Sequence, residues 1–442
     1  LPFDYFSSTK NREYIADGLT EAIINRLVQE SDLLVTSRMS VMQYKDNKVS
    51  IKEVVEELNV EWVLEGSVQL EGDTIQVTAQ LINAAKDVHI WSESYQRNLS
   101  GLFEIQAEVA SEIVTRLNLS SKQITFKNNN SKSSQVPAAA YDSFLQAQFY
   151  HYKGENEKEM NAYLQAIELY PDYAEAYAHL SHSYFSKSYS AGKQAGEFID
   201  KGSKLAIKAL QLDPNPAYVQ LVMALTYLYK DYDYHAAVQA FQLAFERNNQ
   251  DLLLLEWYAE YLLITEQFNK VELLAKHMVA SSPLAYNKIT AFRALFYRAD
   301  FKGAELELAN KAAIISARTR ESLYVWNSLA SANHDSLLNH APVFLAEFKV
   351  PQNTIDHFMV LLKEQGRSRA LNFIVEKIPA FNNFDKAKLY AWAGENEKAI
   401  LLLQTLVAER NIEALKLAIE PAFKLLGDEP GYIALLKQLK LN

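Results

Sequence analysis

Hydrophobic positions along this chain follow two different rhythms. Over the first 120 residues, short runs with a period of two alternate with stretches of helical spacing. Leu1-Pro2-Phe3 reads as the end of a strand, and Glu21–Val28 carries apolar residues at helical spacing. Leu33-Leu34-Val35 is a short apolar run that predicts a buried strand. Ile51–Leu58 is again helical, with Ser50 and Glu53 at the spacing of a capping box. Glu61–Leu70 and Thr74–Asn83 are rich in Val, Ile and Thr and joined by Glu71-Gly72-Asp73, which predicts a hairpin. The alternation of Ile75, Val77, Ala79 and Leu81 gives that hairpin one buried face. A further alternating strand over His89–Gln96 and a helix over Leu102–Leu117 complete a small α/β domain with a mixed sheet, placed at residues 1–119.

Residues 120–137 are polar, rich in Ser, Asn and Lys, and predict a loosely packed linker. From residue 138 the pattern becomes helices of about a dozen residues, repeating with a period near 34 residues. Tyr150, Tyr163, Ala166 and Pro171 stand at the offsets of a tetratricopeptide repeat, and Leu180, Ser181, Tyr184, Ala206, Ala209 and Pro214 make a second copy. That copy holds about nine extra residues between its helices. Leu221, Ala224, Tyr227, Ala237, Phe241 and Ala244 form the third, Tyr258, Ala259, Leu262, Val271 and Ala275 the fourth, and Asp300–Ala304 the turn of a fifth. Small residues such as Ser181, Ala224 and Ala259 let paired helices approach, and stacked pairs share one core. The fold class is therefore α+β overall: a small α/β domain followed by an all-α tetratricopeptide-like solenoid. Its clear repeats span 140–310. Degenerate ones follow over 311–442, including Leu361–Pro379 and Tyr390–Ala399, with an amphipathic cap at Tyr432–Leu441.

Composition narrows the chemistry. Gly (13) and Pro (11) are scarce over 442 residues, as long runs of helix require. The formal charge is −10, and residues 1–136 hold 13 Lys and Arg against 19 Asp and Glu, so nucleic-acid binding by this chain is not expected. With no Cys there are no disulfides or thiolate sites, and no apolar run is long enough to span a bilayer. Gly-rich phosphate loops, G-x-S-x-G and H-E-x-x-H are absent, so no catalytic residue, cofactor or metal is assigned. His179 and His182 share a helical face, but nothing completes a metal site, and packing is the favoured reading. Asp17-Gly18 reads as a helix-entry turn and Glu65-Gly66-Ser67 as a strand bulge; Trp91 and Tyr95 read as core.

The natural binding surface of such an array is its concave face. In the repeat register Gln148, His151, Glu175, His182, Glu256 and Glu260 look into it. They are polar and mildly acidic, so a protein or peptide partner, or a small-molecule signal, with basic or hydrogen-bonding groups is the better match. The plain alternative is that they are merely exposed.

Several front-domain stretches carry a resemblance. Tyr14–Glu21, Ser40–Lys45, Val63–Val68, Val77–Ile82, His89–Tyr95 and Leu102–Gln106 are similar, in order and spacing, to the TolB amino-terminal-like (FlgO-like) domain. The tail around Glu420-Pro421-Ala422-Phe423 and Asp428–Tyr432 resembles the end of the repeat regions that follow it. The resemblance implies the non-catalytic sensory region of a bacterial transcriptional regulator, adenylate cyclase or kinase, whose output module and any transmembrane anchor lie upstream of Leu1. It implies a periplasmic location when such an anchor is present and a cytoplasmic one otherwise, and it is compatible with homodimerisation. An envelope scaffold without a signalling role is the alternative.

Overall fold

The computed structural model describes every residue except 7–11, 32, 46, 48, 87, 121–135, 285–288, 312–314, 379 and 442. Most of the predicted linker and Pro379 thus lie outside the described residues. Four strands, β1 (Asp4–Phe6), β2 (Trp62–Glu71), β3 (Thr74–Asn83) and β4 (Val88–Asn98), form one sheet in that order. β1 is parallel to β2, while β2, β3 and β4 are antiparallel, so the sheet is mixed. Gly72 turns the hairpin at φ +61°, a conformation that costs glycine little. Ile75, Val77, Ala79 and Leu81 are buried, together with Trp91 and Tyr95 opposite them. They form one apolar cluster with residues of α1 (Tyr14–Glu30) and of α4 (Leu102–Ser120). Between these helices lie a single turn, α2 (Arg38–Val41), and α3 (Ile51–Leu58), whose Ser50–Glu53 capping box is formed.

Three local expectations are corrected. Pairing runs unbroken through Gly66, and the irregularity sits instead in β4, where Ile90 is passed over between the Leu81–Trp91 and Ile82–His89 pairs. Gly66 is there because a Cβ would fall 2.4 Å from the Thr78 carbonyl oxygen and 2.3 Å from the Phe3 ring. Asp17-Gly18 is not a turn ahead of α1: Asp17 lies in the first turn of the helix itself, buried and held by Lys45 at 2.6 Å. Leu33-Leu34-Val35 forms no strand. Its backbone is paired by a side chain: Gln250 Nε2 donates to the Leu33 carbonyl at 2.8 Å, and the Val35 N–H donates to Gln250 Oε1 at 2.7 Å. One amide side chain supplies the donor and acceptor that a neighbouring strand would.

The rest is a tetratricopeptide-like solenoid of helix pairs. α5 (Ala138–Tyr152) pairs with α6 (Asn156–Leu169), and α7 (Ala174–Ser188) with α8 (Ala195–Leu212). α9 (Ala217–Thr226), prolonged by a π turn over Tyr227–Asp231, pairs with α10 (Tyr234–Arg247). α11 (Leu252–Ile264) and α12 (Phe268–Ser281) follow, then α13 (Thr290–Tyr297) and α14 (Phe301–Asn310). Pairing continues where the sequence signature fades, through α15 (Ala317–Ser331) with α16 (His334–Glu347), α17 (Gln352–Glu364) with α18 (Arg367–Ile374), and α19 (Asn383–Ala393) with α20 (Asn396–Ala408). Close approach works as the small residues suggest: the Ser181 hydroxyl donates to the Gly202 carbonyl at 2.7 Å.

The array curls back on itself. Two 3-10 segments, Ile412–Lys416 and Pro421–Leu426, and the last helix, α21 (Pro430–Gln438), bring the end of the chain to α8–α11. Arg410 pairs with Asp200 at 3.1 Å, Lys440 Nζ donates to the Asp231 carbonyl at 3.1 Å, and the Tyr234 hydroxyl donates to the Leu439 carbonyl at 2.8 Å. One apolar cluster runs from Phe185 to Leu439. At the seam Glu260 is buried between Arg293, in direct contact, and Lys416 at 3.0 Å. Burial alone would raise the Glu260 pKa, but the two cations outweigh it and hold the carboxyl down at about 2.

A carboxylate depressed in the folded state stabilises above its unfolded pKa of about 4.3, and that stabilisation disappears as pH falls toward 2. Glu260→Gln leaves two buried cations facing one another and is expected to cost about 3 kcal/mol or more at pH 7. Urea denaturation at pH 7 and pH 3 checks this: the deficit of the variant should shrink markedly at the lower pH.

Candidate functional site between the sheet domain and the helical array

Helix α1 is seated on α5. Gly18 faces Leu145 so closely that a Cβ would fall 2.5 Å from its Cδ2. The Tyr14 hydroxyl donates to Asp142 at 2.8 Å, and Gln106 donates to the Tyr141 hydroxyl at 2.7 Å. Farther along, the strap formed by residues 33–41 reaches the array: beyond its Gln250 contacts, the Ser37 N–H donates to the Ser281 carbonyl at 2.8 Å. These contacts enclose a cleft of about 340 Å³. One wall is Glu21, Ile24, Ser37, Arg38 and Met39 of the sheet domain; the other is Gln148, His151, Glu175, Tyr218, Asp251 and Glu256 of α5, α7, α9 and α11.

Arg38 organises the first wall. Its guanidinium lies 3.5 Å from the centre of the Tyr152 ring, and its Nε is 3.5 Å from Glu21. Glu21 also accepts the Tyr152 hydroxyl at 3.1 Å and Gln148 at 3.5 Å. Burial nonetheless keeps the Glu21 carboxyl above its ordinary range, against the pull of Arg38. Asp251 caps α11, accepting the Leu254 N–H at 2.9 Å, and is likewise raised by burial. Burial, with Asp213 adding to it, pushes Glu175 up to about 7. Glu256, open to the cleft, is pushed to about 7 by desolvation and Asp251 against Arg293.

Of the six residues predicted from the repeat register, Gln148, His151, Glu175 and Glu256 line this cleft. His182 and Glu260 lie deeper. His182 is buried, accepts the Trp257 indole N–H at 3.1 Å and stays neutral, its pKa lowered to about 3 by burial and His151. Glu260 sits in the seam described above. His151 Nδ1 is 3.1 Å from Glu159, whose bond outweighs burial and raises the histidine pKa. Ser183 donates to the same Glu159 at 2.6 Å. The pattern is a carboxylate shared by two donors, and Ser186 Oγ lies 3.2 Å from His182 Nε2 nearby. His179 stacks flat on Tyr218 at 3.7 Å, a packing role, and no group of three or more His, Asp or Glu among the described residues could hold a metal.

Arg38, Glu21, Tyr152 and Gln250 are missed by sequence reading. The repeat register ranks only positions on the array, and one wall of this cleft comes from the domain in front of it. The run Ser37-Arg38-Met39-Ser40 carries no periodicity that would mark it.

Comparison with known proteins falls on the same two parts. Residues 1–112 match the second domain of HilA/YgeH-like transcriptional regulators. A Rhizobium meliloti (strain 1021) protein described as "Putative adenylate cyclase 3" is 34% identical over 186 residues, which is 41% of this chain and 31% of that protein. The chain thus spans under a third of that relative's length. The crystal structure of the P58(IPK) TPR domain aligns over 68% of this chain and 89% of its own at 15% identity, with a TM-score of 0.22. The solenoid is defined by its own stacked helix pairs. Among the described residues no helix is long and apolar enough to cross a membrane.

A carboxyl raised to about 7 by the fold favours folding below its unfolded pKa near 4.3, and that advantage is lost as pH climbs through 7. Glu175→Gln is therefore expected to flatten the decline in stability between pH 4.5 and 7. Urea midpoints at pH 5 and pH 7.5 check it, the variant gaining clearly more on the parent at the higher pH.

Proposed function

We propose that this chain is a non-catalytic sensory and protein-interaction region of a bacterial regulator, most directly a transcriptional one, whose signal enters the cleft between the sheet domain and the array. The observation that carries the reading is the shared lining: Arg38 and Glu21 on one side and Glu175, Asp251 and Glu256 on the other border a single cleft. Binding there changes how the two parts sit, and a change in seating is what an attached output domain can read. A regulatory role is supported by the match of residues 1–112 to a domain of transcriptional regulators, and the helix pairs suit a protein partner. The TolB amino-terminal-like resemblance adds to this picture an output module and an anchor ahead of Leu1, which would put the region in the periplasm; without the anchor it would work in the cytoplasm.

The carboxylates set the ligand class. Three acidic groups raised by burial, and the exposed Glu256 beside them, face one guanidinium, so a partner bearing amino or guanidino groups gains by restoring their ionised forms. Calorimetric titration with hexalysine should show binding that falls at least tenfold in Glu175→Gln/Glu256→Gln. The same double substitution in the full-length parent should abolish its signal response. An unchanged response together with unchanged binding contradicts the proposal.

A further inference from the structure

A second cavity, of about 450 Å³, is lined mainly by the sheet domain and closed in part by Ala280 of α12. Most of its lining is apolar, with Leu27 of α1, Ile113 of α4, Leu81 of the sheet, Val54 of α3, and Leu33 and Val35 of the strap among its walls. Compact domains of this size normally close around one contiguous core. Here the apolar side chains fall into two groups. The main cluster joins sheet, α1 and α4, whereas Val41, Val54 and Leu58 form a separate small one. The cavity is bounded by members of both. Thr36, Asn59 and Glu61 are the polar side chains of its rim, and Thr20 is already spoken for, accepting the Phe3 N–H at 3.0 Å and donating to the Ala16 carbonyl at 2.9 Å.

We infer that this cavity is a binding site for a small aliphatic molecule carrying an uncharged hydrogen-bonding end, and that the strap reports its presence to the helical array. Size argues for a small molecule over a partner's helix: one helical turn about 10 Å wide and 5.4 Å tall already takes about 420 Å³. The volume falls within the range of ~300–1,000 Å³ typical of ligand pockets, and apolar walls with few polar groups at one end are their usual lining. An uncharged end suits the rim, because the acidic side chains of this domain outnumber its basic ones and Glu61 stands at the mouth.

The strap makes the site more than a store. Leu33 and Val35 face the cavity, while the backbone of the same residues is bonded to Gln250 and the next N–H but one, that of Ser37, to Ser281. Val35 borders both the cavity and the cleft. A chain packed behind Leu33 and Val35 therefore steadies the hydrogen bonds by which the sheet domain holds the array. This site stands apart from the proposed function: the cleft can answer its ligand whether or not the cavity takes one.

Trp62 lines the cavity and gives the readout. 10-Bromodecanol, a quencher on a ten-carbon chain, should reduce Trp62 emission saturably in the native chain, and the quenching should vanish in Trp62→Phe. Plain decanol should relieve it by competition, and Val54→Phe, which adds bulk inside the cavity, should weaken it at least tenfold. Decanol should also slow amide exchange at Val35 and Ser37 at least tenfold. Quenching that does not saturate, that decanol fails to relieve, or that persists undiminished in a folded Val54→Phe protein overturns the site. So does binding seen with this chain but lost in the full-length parent, since the cavity would then belong to the protein's own residues. Exchange at Val35 and Ser37 unchanged by bound decanol overturns the relay.

Discussion

The contact of α1 on α5, with Gly18 set against Leu145, governs what the rest of this molecule can do. A side chain at position 18 would hold the helices apart, and the Tyr14–Asp142 and Gln106–Tyr141 bonds beside it depend on the same spacing. Because the helices meet there, the strap at residues 33–41 reaches Gln250 and Ser281, more than 200 positions along the chain. The cleft and the apolar cavity both follow from this seating. Neither is a property of the sheet domain or of the array alone.

The other end of the array is covered by the chain itself. Stacked helix pairs have no natural stop, and an inner face lined with Tyr, Trp and carboxylates needs a partner. The segment from Arg410 to Leu441 supplies one, and its Lys416 joins Arg293 around Glu260. Buried charges of this kind add little net stability, since desolvation consumes much of the Coulombic gain, but an unpaired one is costly. Their effect is to make one closed arrangement far better than any opened one. The electrostatics of the two ends differ accordingly. At the seam, cations outweigh burial and the carboxyl is depressed; in the cleft, burial outweighs the single Arg38 and the carboxyls are raised. The first is a closed structural device, and the second is a surface that still gains from a cation.

Much of the fold was legible in the residues. The capping box at Ser50 and Glu53, the Gly72 hairpin and the alternation from Ile75 to Leu81 act over a few residues, so local pattern suffices. The helix pairs to residue 310 were readable because one steric demand recurs at a fixed period. Past that point the pairs persist while the marks fade, since apolar spacing survives changes that the Tyr and Ala positions do not. Leu33-Leu34-Val35 misled for an instructive reason. Its apolar character and extended backbone suit a strand, but the groups that satisfy it belong to Gln250, and no local rule sees a partner so distant. The groove residues divide on the same principle. Register puts Gln148, His151, Glu175 and Glu256 on the inner face, but only the superhelical return of the chain decides that Glu260 is sealed while Glu256 is open.

The central claim is that the sheet domain is held on the array in one seating. The chain has no cysteine, so two can be introduced and labelled without background. Spin labels at Glu56→Cys on α3 and Leu273→Cys on α12, both exposed, span the contact directly. Double electron–electron resonance should give a single narrow distance distribution that broadens when Gly18→Phe is added. A broad distribution in the parent, or one indifferent to Gly18→Phe, would contradict the account.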